Sequence, residues 1–279
     1  MKEITDYGKV FETLVQKTQD YLVRNNIKAQ ILGISGGIDS TVVAAICREV
    51  SDRTGIPLIG RSLPTKFNKE EEITTADLVG KAFCNDYKEI PIMYPYSAFL
   101  EFLEASGDAT TPISNGNIQA RLRMIYLYNL ASIYKGIVMD TDNLTENNLG
   151  YFTIHGDVGD FNPIGGLWKT EVFKLAEWLF NKYKNNDYHY LTKAEAMWAS
   201  LQLKPTAGLG ITNNDLEEIG AESYEQVDRV LQFLTDNTIS PDTVKNIPEE
   251  IFNVIVKRHN ASKFKRKQLP IKITRDEIL

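Results

Sequence analysis

The chain has 279 residues, of which 43% are hydrophobic and 24% charged, and its formal net charge at pH 7 is −6. This length can bury a sizeable core, and the acidic balance argues against a general nucleic-acid-binding role. The two cysteines indicate neither a disulfide framework nor a cysteine-based metal site. No apolar stretch approaches the ~20 residues that span a bilayer, and the first ten residues do not resemble a signal peptide. We therefore expect a cytoplasmic protein without membrane or nucleic-acid partners.

The first half of the chain alternates between helix and strand patterns. An amphipathic helix over the first 25 residues precedes a short apolar strand, Ala29–Ile34, that leads into a glycine turn. The next predicted elements, in order, are a helix at 39–50, a strand at 56–63, a helix at 69–83, a strand at 87–92, a helix at 117–134 and a strand at 136–139. This order predicts an α/β fold, a doubly wound parallel sheet with helices on both faces. In such sheets ligands bind at the carboxyl ends of the strands.

Residues 143–166 interrupt this alternation. They contain five glycines, several acidic residues and no clear period, and we predict a long functional loop. Helical patterns resume at 169–183, 223–235 and 248–258. Because the sequence has no internal repeat, low-complexity tract or linker, we interpret residues 1–279 as a single domain with helical additions at both ends.

The segment Gly33–Ser40 reads Gly-Ile-Ser-Gly-Gly-Ile-Asp-Ser and lies between a predicted strand and a predicted helix. Its two central glycines let backbone N–H groups approach an anion, and the helix that follows adds its positive dipole end. Ser35 and Ser40 add hydroxyl donors, and Asp39 adds a carboxylate of the type that Mg²⁺ prefers beside phosphate. The segment therefore predicts a site for the pyrophosphate end of ATP.

This loop is neither a Walker A motif nor a dinucleotide fingerprint, because it lacks both the Gly-Lys-Ser/Thr and the Gly-x-Gly-x-x-Gly patterns. Its string Ser-Gly-Gly-x-Asp-Ser resembles the signature of the N-type ATP pyrophosphatases, which cleave ATP to AMP and pyrophosphate while adenylating an acceptor. The resemblance implies the adenine nucleotide alpha hydrolase-like, Rossmann-like version of the predicted fold. The loop alone does not select the acceptor.

Further motifs, in order between about residues 30 and 270, resemble those of the NAD synthetase family. They are Gly116–Met124 with its Ala-Arg-x-Arg-Met run, Asp140-Thr141-Asp142 followed by Glu146, Gly150–Asp157 followed by Asp160, Pro163–Thr170, Lys204–Ala207 and Lys263–Arg266. The resemblance implies ATP-dependent amidation of deamido-NAD to NAD with ammonia, through an acyl adenylate. It also implies a homodimer. Neither cysteine has a nucleophile-like setting, so we expect free ammonia, or ammonia from a separate partner, as the nitrogen source.

Carried over residue by residue, the resemblance implies a bipartite site. The ATP-binding residues would be Gly33, Ile34, Ser35, Gly36, Gly37, Ile38, Asp39, Ser40, Thr141, Lys169 and Thr206. Asp39 and Glu146 would hold Mg²⁺ and, with Lys169, would be the catalytic residues. The substrate-binding residues would be Arg121, Asp160, Phe264 and Lys265, to which we add His155 because of its place in the same loop.

Departures from the family pattern lie mostly on the acceptor side. Asp140 replaces a glycine, Ile154 a lysine, Gly208 an aspartate and Phe264 a histidine, and the loop before Asp160 is one residue shorter. Two alternatives therefore stay open. The chain could be an N-type ATP pyrophosphatase that adenylates another carboxylate or a nucleobase, or a nucleotide sensor without turnover. The intact catalytic set argues against the sensor.

Overall fold

The computed structural model describes residues 3–185, 191–204, 215–267 and 271–278. Within them, four parallel strands are paired in the order β3 (Asp86–Glu89), β2 (Leu58–Ser62), β1 (Gln30–Gly33) and β4 (Ile137–Val138). A second parallel pair, β5 (Phe161–Asn162) and β6 (Ile271–Lys272), joins the first through a bridge between Met139 and Phe161. From β1 the chain adds β2 and then β3 on one side of the sheet, and it later adds β4 on the other side of β1. The strand order thus reverses beside β1, where a crevice for ligands is expected.

Twelve α-helices fall within the described ranges. They are α1 (Tyr7–Arg24), α2 (Ile38–Thr54), α3 (Glu70–Phe83), α4 (Met93–Ala105), α5 (Pro112–Tyr134), α6 (Leu144–Leu149), α7 (Lys169–Lys184), α8 (Leu191–Gln202), α9 (Asp215–Ile219), α10 (Tyr224–Thr235), α11 (Glu249–Ala261) and α12 (Arg275–Ile278). Short 3-10 turns occupy Pro241–Thr243 and Lys265–Lys267. Among these helices, none is long and apolar enough to cross a membrane.

Alternating residues of the strands build apolar layers on both faces of the sheet. Leu32 and Leu58 pack into a cluster with α1, α2, α3, α7 and α8, whereas Ile31 and Ile59 pack on the opposite face with the apolar side of α5. A third apolar cluster joins α6, α9, α10 and α11 around Trp168. The layers confirm the prediction of a doubly wound α/β sheet covered on both faces.

Several predicted boundaries were wrong. The predicted loop at 143–166 contains α6 and β5, which are too short for hydrophobic periodicity to reveal. Helices α4 and α8 were not predicted. Helix α5 begins at Pro112 rather than residue 117, because Thr111 caps its N-terminus through a capping box and Pro112 suits the first turn.

Candidate active site

The turn between β1 and α2 has the local conformation that its glycines predict. Gly36 has φ +84°, and a Cβ at this position would lie 2.5 Å from the backbone oxygen of Glu72 on α3. Only glycine fits this turn without displacing α3. Gly37 then caps α2, which begins at Ile38, so the N-terminal amides of a 17-residue helix face the carboxyl end of the sheet.

Hydrogen bonds of the Ser35 and Ser40 hydroxyl groups stabilise the turn between β1 and α2. The Gly37 N–H donates to Ser35 Oγ at 3.2 Å, Ser35 and Ser40 Oγ lie 3.0 Å apart, and Ser40 Oγ donates to Gly37 O at 3.0 Å. A second brace comes from α8, where the buried Ser200 Oγ donates to Gly36 O at 3.0 Å and lies 2.7 Å from Thr41 Oγ1. Ser200 has no signal in the sequence, because it lies 164 residues from Gly36.

Lys169 at the N-terminus of α7 brings the two predicted metal ligands together. Its side chain is 3% exposed, and its Nζ donates to Asp39 Oδ2 at 2.5 Å and to Glu146 Oε1 at 3.0 Å. Burial by itself would lower the pKa of Lys169, but the charges of Asp39 and Glu146 outweigh it and raise the pKa. The structure thus places all three predicted catalytic residues in one cluster at the mouth of the phosphate loop.

Asn143, which sequence reasoning missed, connects the same two carboxylates. Its Nδ2 donates to Asp39 Oδ1 at 2.9 Å, while its Oδ1 accepts from the Glu146 N–H at 3.0 Å as the N-cap of α6. Its own N–H donates to Glu146 Oε2 at 3.2 Å, completing a capping box. The Asn-x-x-Glu spacing could have indicated the capping box from the sequence. The bond from Asn143 to Asp39 depends on the tertiary structure.

A cavity of about 530 Å³ opens from the phosphate loop toward α5 and the segment 150–157. Its lining includes every described residue of the predicted ATP set except Gly36, together with Glu146. We call Gly33–Ser40, Thr141, Glu146 and Lys169 the nucleotide half of the site. The cavity continues past Asn117, Ala120, Arg123 and Met124 of α5. This continuation provides space for an acceptor next to the phosphates.

Acidic residues that were not predicted as site residues line the same cavity. Burial, and then the charge of Asp140, raises the pKa of Asp142. Burial raises the pKa of Asp157 to about 7, against a hydrogen bond from the Thr153 N–H. Burial and the charge of Asp39 likewise raise the pKa of Glu146 to about 7, against the opposing effect of Lys169. The cavity wall is therefore rich in carboxylates that hold a proton more readily than usual.

Asp140, one of the departures from the family pattern, lies beneath this wall. It is 1% exposed, and its carboxylate accepts hydrogen bonds from the Asp142 and Gly159 N–H groups and from Asn162 Nδ2 at 2.7–3.1 Å. It shapes the turn after β4 without lining the cavity.

The acceptor half, comprising Arg121, His155, Asp160, Phe264 and Lys265, lies outside the cavity lining. Arg121 is exposed on α5 and its Nη2 donates to Ile154 O at 3.3 Å. Asp160 accepts from Tyr128 Oη at 3.0 Å and from the Val138 N–H at 2.9 Å.

The remaining three residues of the acceptor half are also placed by the structure. Lys265 Nζ donates to Gly150 O at 2.7 Å and to Phe152 O at 2.5 Å. His155 is exposed with φ +58°, and Phe264 is 60% exposed. Two other predicted features, Thr206 and the departure at Gly208, lie outside the described residues.

The donor set of the nucleotide half fits a magnesium ion. Asp39 and Glu146 already share one cation, the Lys169 ammonium group, so their oxygens converge on a common point. Carboxylate oxygens are the ligands that Mg²⁺ prefers. In the described ranges, no group of three or more His, Cys, Asp or Glu side chains is arranged to hold a metal. The two carboxylates would therefore share the ion with phosphate oxygens and water, as is usual for Mg²⁺ in nucleotide sites.

Comparison with known proteins agrees with this geometry. Residues 10–269 match the family described as NAD synthase. The chain is 32% identical over 255 residues to the NH(3)-dependent NAD(+) synthetase of Pyrobaculum aerophilum, covering 91% of this chain and 88% of that protein. It is 29% identical over 267 residues to the glutamine-dependent NAD(+) synthetase of Aquifex aeolicus, covering 94% of this chain but 45% of the relative.

Two solved structures share the fold over nearly their whole length. The NMN synthetase from Francisella tularensis has a TM-score of 0.77 at 30% identity, covering 95% of this chain and 98% of that one. The NH3-dependent NAD synthetase from Campylobacter jejuni has a TM-score of 0.68 at 26% identity, covering 96% and 98%. Because the family match covers residues 10–269, the chain belongs to the NAD synthase family.

Proposed function

We propose that the chain catalyses the ATP-dependent amidation of the nicotinate carboxylate of deamido-NAD with ammonia, giving NAD, AMP and pyrophosphate. The observation that carries the proposal is the cluster of Asp39, Glu146 and Lys169 beside a glycine loop at a helix N-terminus. Two relatives of similar length, from Pyrobaculum aerophilum and Campylobacter jejuni, are named NH3-dependent NAD synthetases.

In the first step an oxygen of the acceptor carboxylate attacks the α-phosphorus of ATP, and the bond to the bridging oxygen of pyrophosphate breaks. The loop amides and the hydroxyl groups of Ser35 and Ser40 bind the departing pyrophosphate. Lys169, held by two carboxylates, is positioned to balance phosphate charge. A magnesium ion held by Asp39 and Glu146 would neutralise further charge on the phosphates.

In the second step ammonia attacks the acyl carbon of the adenylate, AMP leaves with the bridging oxygen, and the nitrogen loses a proton. Asp157 is a suitable proton acceptor for incoming ammonium, because it lines the cavity and its pKa is raised to about 7. Arg121 and Lys265 would bind acceptor phosphates after exchanging their present bonds to backbone carbonyls.

The experiment is incubation of the purified chain with ATP, Mg²⁺, ammonium and deamido-NAD, followed by mass analysis for NAD and AMP. The proposal expects equal amounts of NAD and AMP. Pyrophosphate release without NAD would contradict the assignment of deamido-NAD as the acceptor and support adenylation of another carboxylate or a nucleobase. ATP binding without turnover with any acceptor would support a sensor.

A second candidate acceptor is the mononucleotide, nicotinate mononucleotide, whose amidation gives NMN. Two observations favour it. The structural likeness to the Francisella NMN synthetase, with a TM-score of 0.77, exceeds the 0.68 found for the Campylobacter NAD synthetase. The chain also has Ile154 and Phe264 where the family pattern has a lysine and a histidine. An acceptor with one phosphate fewer would lose less binding free energy when these basic side chains are absent. Comparing kcat/KM for the two acceptors at saturating ATP decides between them, since a higher value identifies the preferred substrate.

We also propose a homodimer formed by the outer face of α4 and α5. Large apolar side chains that are more than half exposed occur on both helices: Tyr94 and Phe102 on α4, and Ile125 and Ile133 on α5. Exposed apolar patches of this kind mark association surfaces. Light scattering after gel filtration should give twice the chain mass, and Ile125→Asp should shift it to the monomer. A monomeric wild type at micromolar concentration would contradict the proposal.

A further inference from the structure

Asp228 on α10 has a buried carboxylate that neither the family resemblance nor the cavity accounts for. The residue is 2% exposed and absent from the described lining of the cavity. Its Oδ1 accepts from Thr145 Oγ1 at 2.5 Å. Its Oδ2 accepts from the Thr170 N–H at 3.0 Å and from Thr170 Oγ1 at 2.7 Å. Among the described residues, the donors to Asp228 thus come from α6 and from the start of α7.

These two helices carry two of the three proposed catalytic side chains, Glu146 and Lys169. Thr145 precedes Glu146 on α6, and Thr170 follows Lys169 at the start of α7. Thr145 Oγ1 also accepts from the Lys169 N–H at 2.8 Å. The Asp228 carboxylate and the Thr145 hydroxyl group together connect α6 to the first residues of α7. The Asp228 carboxylate therefore fixes where α6 lies relative to the N-terminus of α7.

Tyr224, one helical turn before Asp228, faces the same junction. Its ring centroid lies 5.6 Å from Lys169 Nζ, within the range of a cation–π contact. Residues four apart on a helix share a face, so α10 presents a ring to the lysine head group and a carboxylate to the backbone beneath it.

A buried carboxylate is retained only where its hydrogen bonds offset the cost of desolvation. Here burial raises the pKa of Asp228 to about 6, and the bonds from Thr145 and Thr170 oppose the rise. Helix α6 has six residues and cannot hold its own position, since helices this short depend on tertiary contacts. Catalysis is sensitive to such positions, because a displacement of about 1 Å can cost about 100-fold in rate.

We infer that Asp228 is a positioning residue for adenylation, which acts through Thr145 and Thr170 to set the separation between Glu146 and Lys169. The inference rests on the proposed function of that pair. Asp228 contacts neither of the two side chains among its described bonds, so its effect on the reaction is indirect.

The test compares Asp228→Asn with Asp236→Asn, a matched change at the C-cap of the same helix, where the carboxylate accepts from the backbone N–H and the hydroxyl group of Thr238. Asparagine can accept from only one of the two threonines, because its NH2 group presents donors to the other. We expect kcat for AMP formation to fall about 10- to 100-fold in Asp228→Asn, with the KM for ATP changed less than about threefold. Asp236→Asn should equal the wild type, and equal kcat values for all three proteins would overturn the inference.

A second pair of variants covers the case in which Asp228→Asn fails to fold. Thr170→Val removes the hydroxyl donor, whereas Thr170→Ser keeps it. We expect a fall of about fivefold to tenfold in kcat for the valine variant and rescue by serine. Wild-type kcat in a folded Thr170→Val protein, or an equal loss in the serine variant, would overturn the inference.

A structural measurement separates this inference from the proposed function. The Glu146 Oε1 to Lys169 Nζ distance is 3.0 Å in the native chain. A crystal structure of Asp228→Asn, or of Thr170→Val, should show this distance lengthened, whatever acceptor the enzyme uses. An unchanged distance overturns the positioning role even if the amidation is observed, and a lengthened one supports it even if the acceptor proves different.

Discussion

The nucleotide half and the acceptor half of the site differ in how closely their residues gather around the cavity. In the nucleotide half the loop turn, the helix N-terminus and the Asp39–Lys169–Glu146 cluster all face one cavity. In the acceptor half Arg121 and Lys265 donate to backbone carbonyls, outside the cavity lining. The proposed ATP-binding groups thus gather around one cavity, whereas the two basic residues proposed for the acceptor are bonded to the protein's own carbonyl groups.

The strongest test of the nucleotide half is Asp39→Asn. It keeps the side-chain shape but removes the charge that Lys169 contacts at 2.5 Å and that a magnesium ion would need. We expect kcat for AMP formation to fall by about 1000-fold, comparable to losing a main electrostatic group at a reacting phosphate. The matched control is Asp52→Asn on the same helix, where the aspartate makes an exposed pair with Arg48. Activity within about tenfold of the wild type in Asp39→Asn would refute the metal and catalytic assignment.

A smaller effect is expected from Asn143→Ser. Serine caps a helix about as well as asparagine, so the cap of α6 is kept while the donor to Asp39 Oδ1 is lost. Groups that orient a metal ligand typically contribute about 10- to 100-fold, and we expect kcat at limiting Mg²⁺ to fall by that factor. The melting temperature should stay close to that of the wild type. Asn181→Ser, at an exposed position of α7, is the control. A large loss of stability with unchanged kcat would show that Asn143 only caps α6 and does not orient Asp39.

The acceptor half is tested by Arg121→Ala. A charged hydrogen bond contributes about 1.5–3 kcal/mol, so the KM for the acceptor should rise by at least about tenfold. The KM for ATP should not change, because Arg121 lies outside the lining of the cavity that contains the phosphate loop. Lys263→Ala, an exposed change in the basic segment, serves as control. A rise in the KM for ATP together with that for the acceptor would show that Arg121 affects both halves of the site.

The smallest expected effect is that of Tyr128→Phe. The change removes the 3.0 Å bond from the Tyr128 hydroxyl to Asp160 Oδ1 and leaves the carboxylate bonded to the Val138 N–H. We expect the free energy of unfolding in urea to fall by about 1 kcal/mol. If Asp160 is released for the acceptor, the acceptor KM should fall slightly. A raised acceptor KM would instead show that the tyrosine helps to present Asp160.

Some of this organisation follows from the sequence alone. The phosphate turn is local, since a glycine with positive φ, a helix start and two serines lie within eight residues. The parallel sheet follows from strands alternating with helices, and the family motifs lie in order along the chain. These features depend on backbone conformation and burial pattern within short segments, which a sequence records directly.

Other features were decided only by the tertiary structure. Lys169 meets Asp39 across 130 residues, and Ser200 and Asp228 brace their partners across 164 and 83. No local pattern encodes such pairs, because a buried polar group is specified by whatever partner the fold brings to it. The same reason explains the acceptor half. Its residue types were identifiable from the sequence, but only the folded chain shows that Arg121 and Lys265 donate to the backbone carbonyls of Ile154, Gly150 and Phe152.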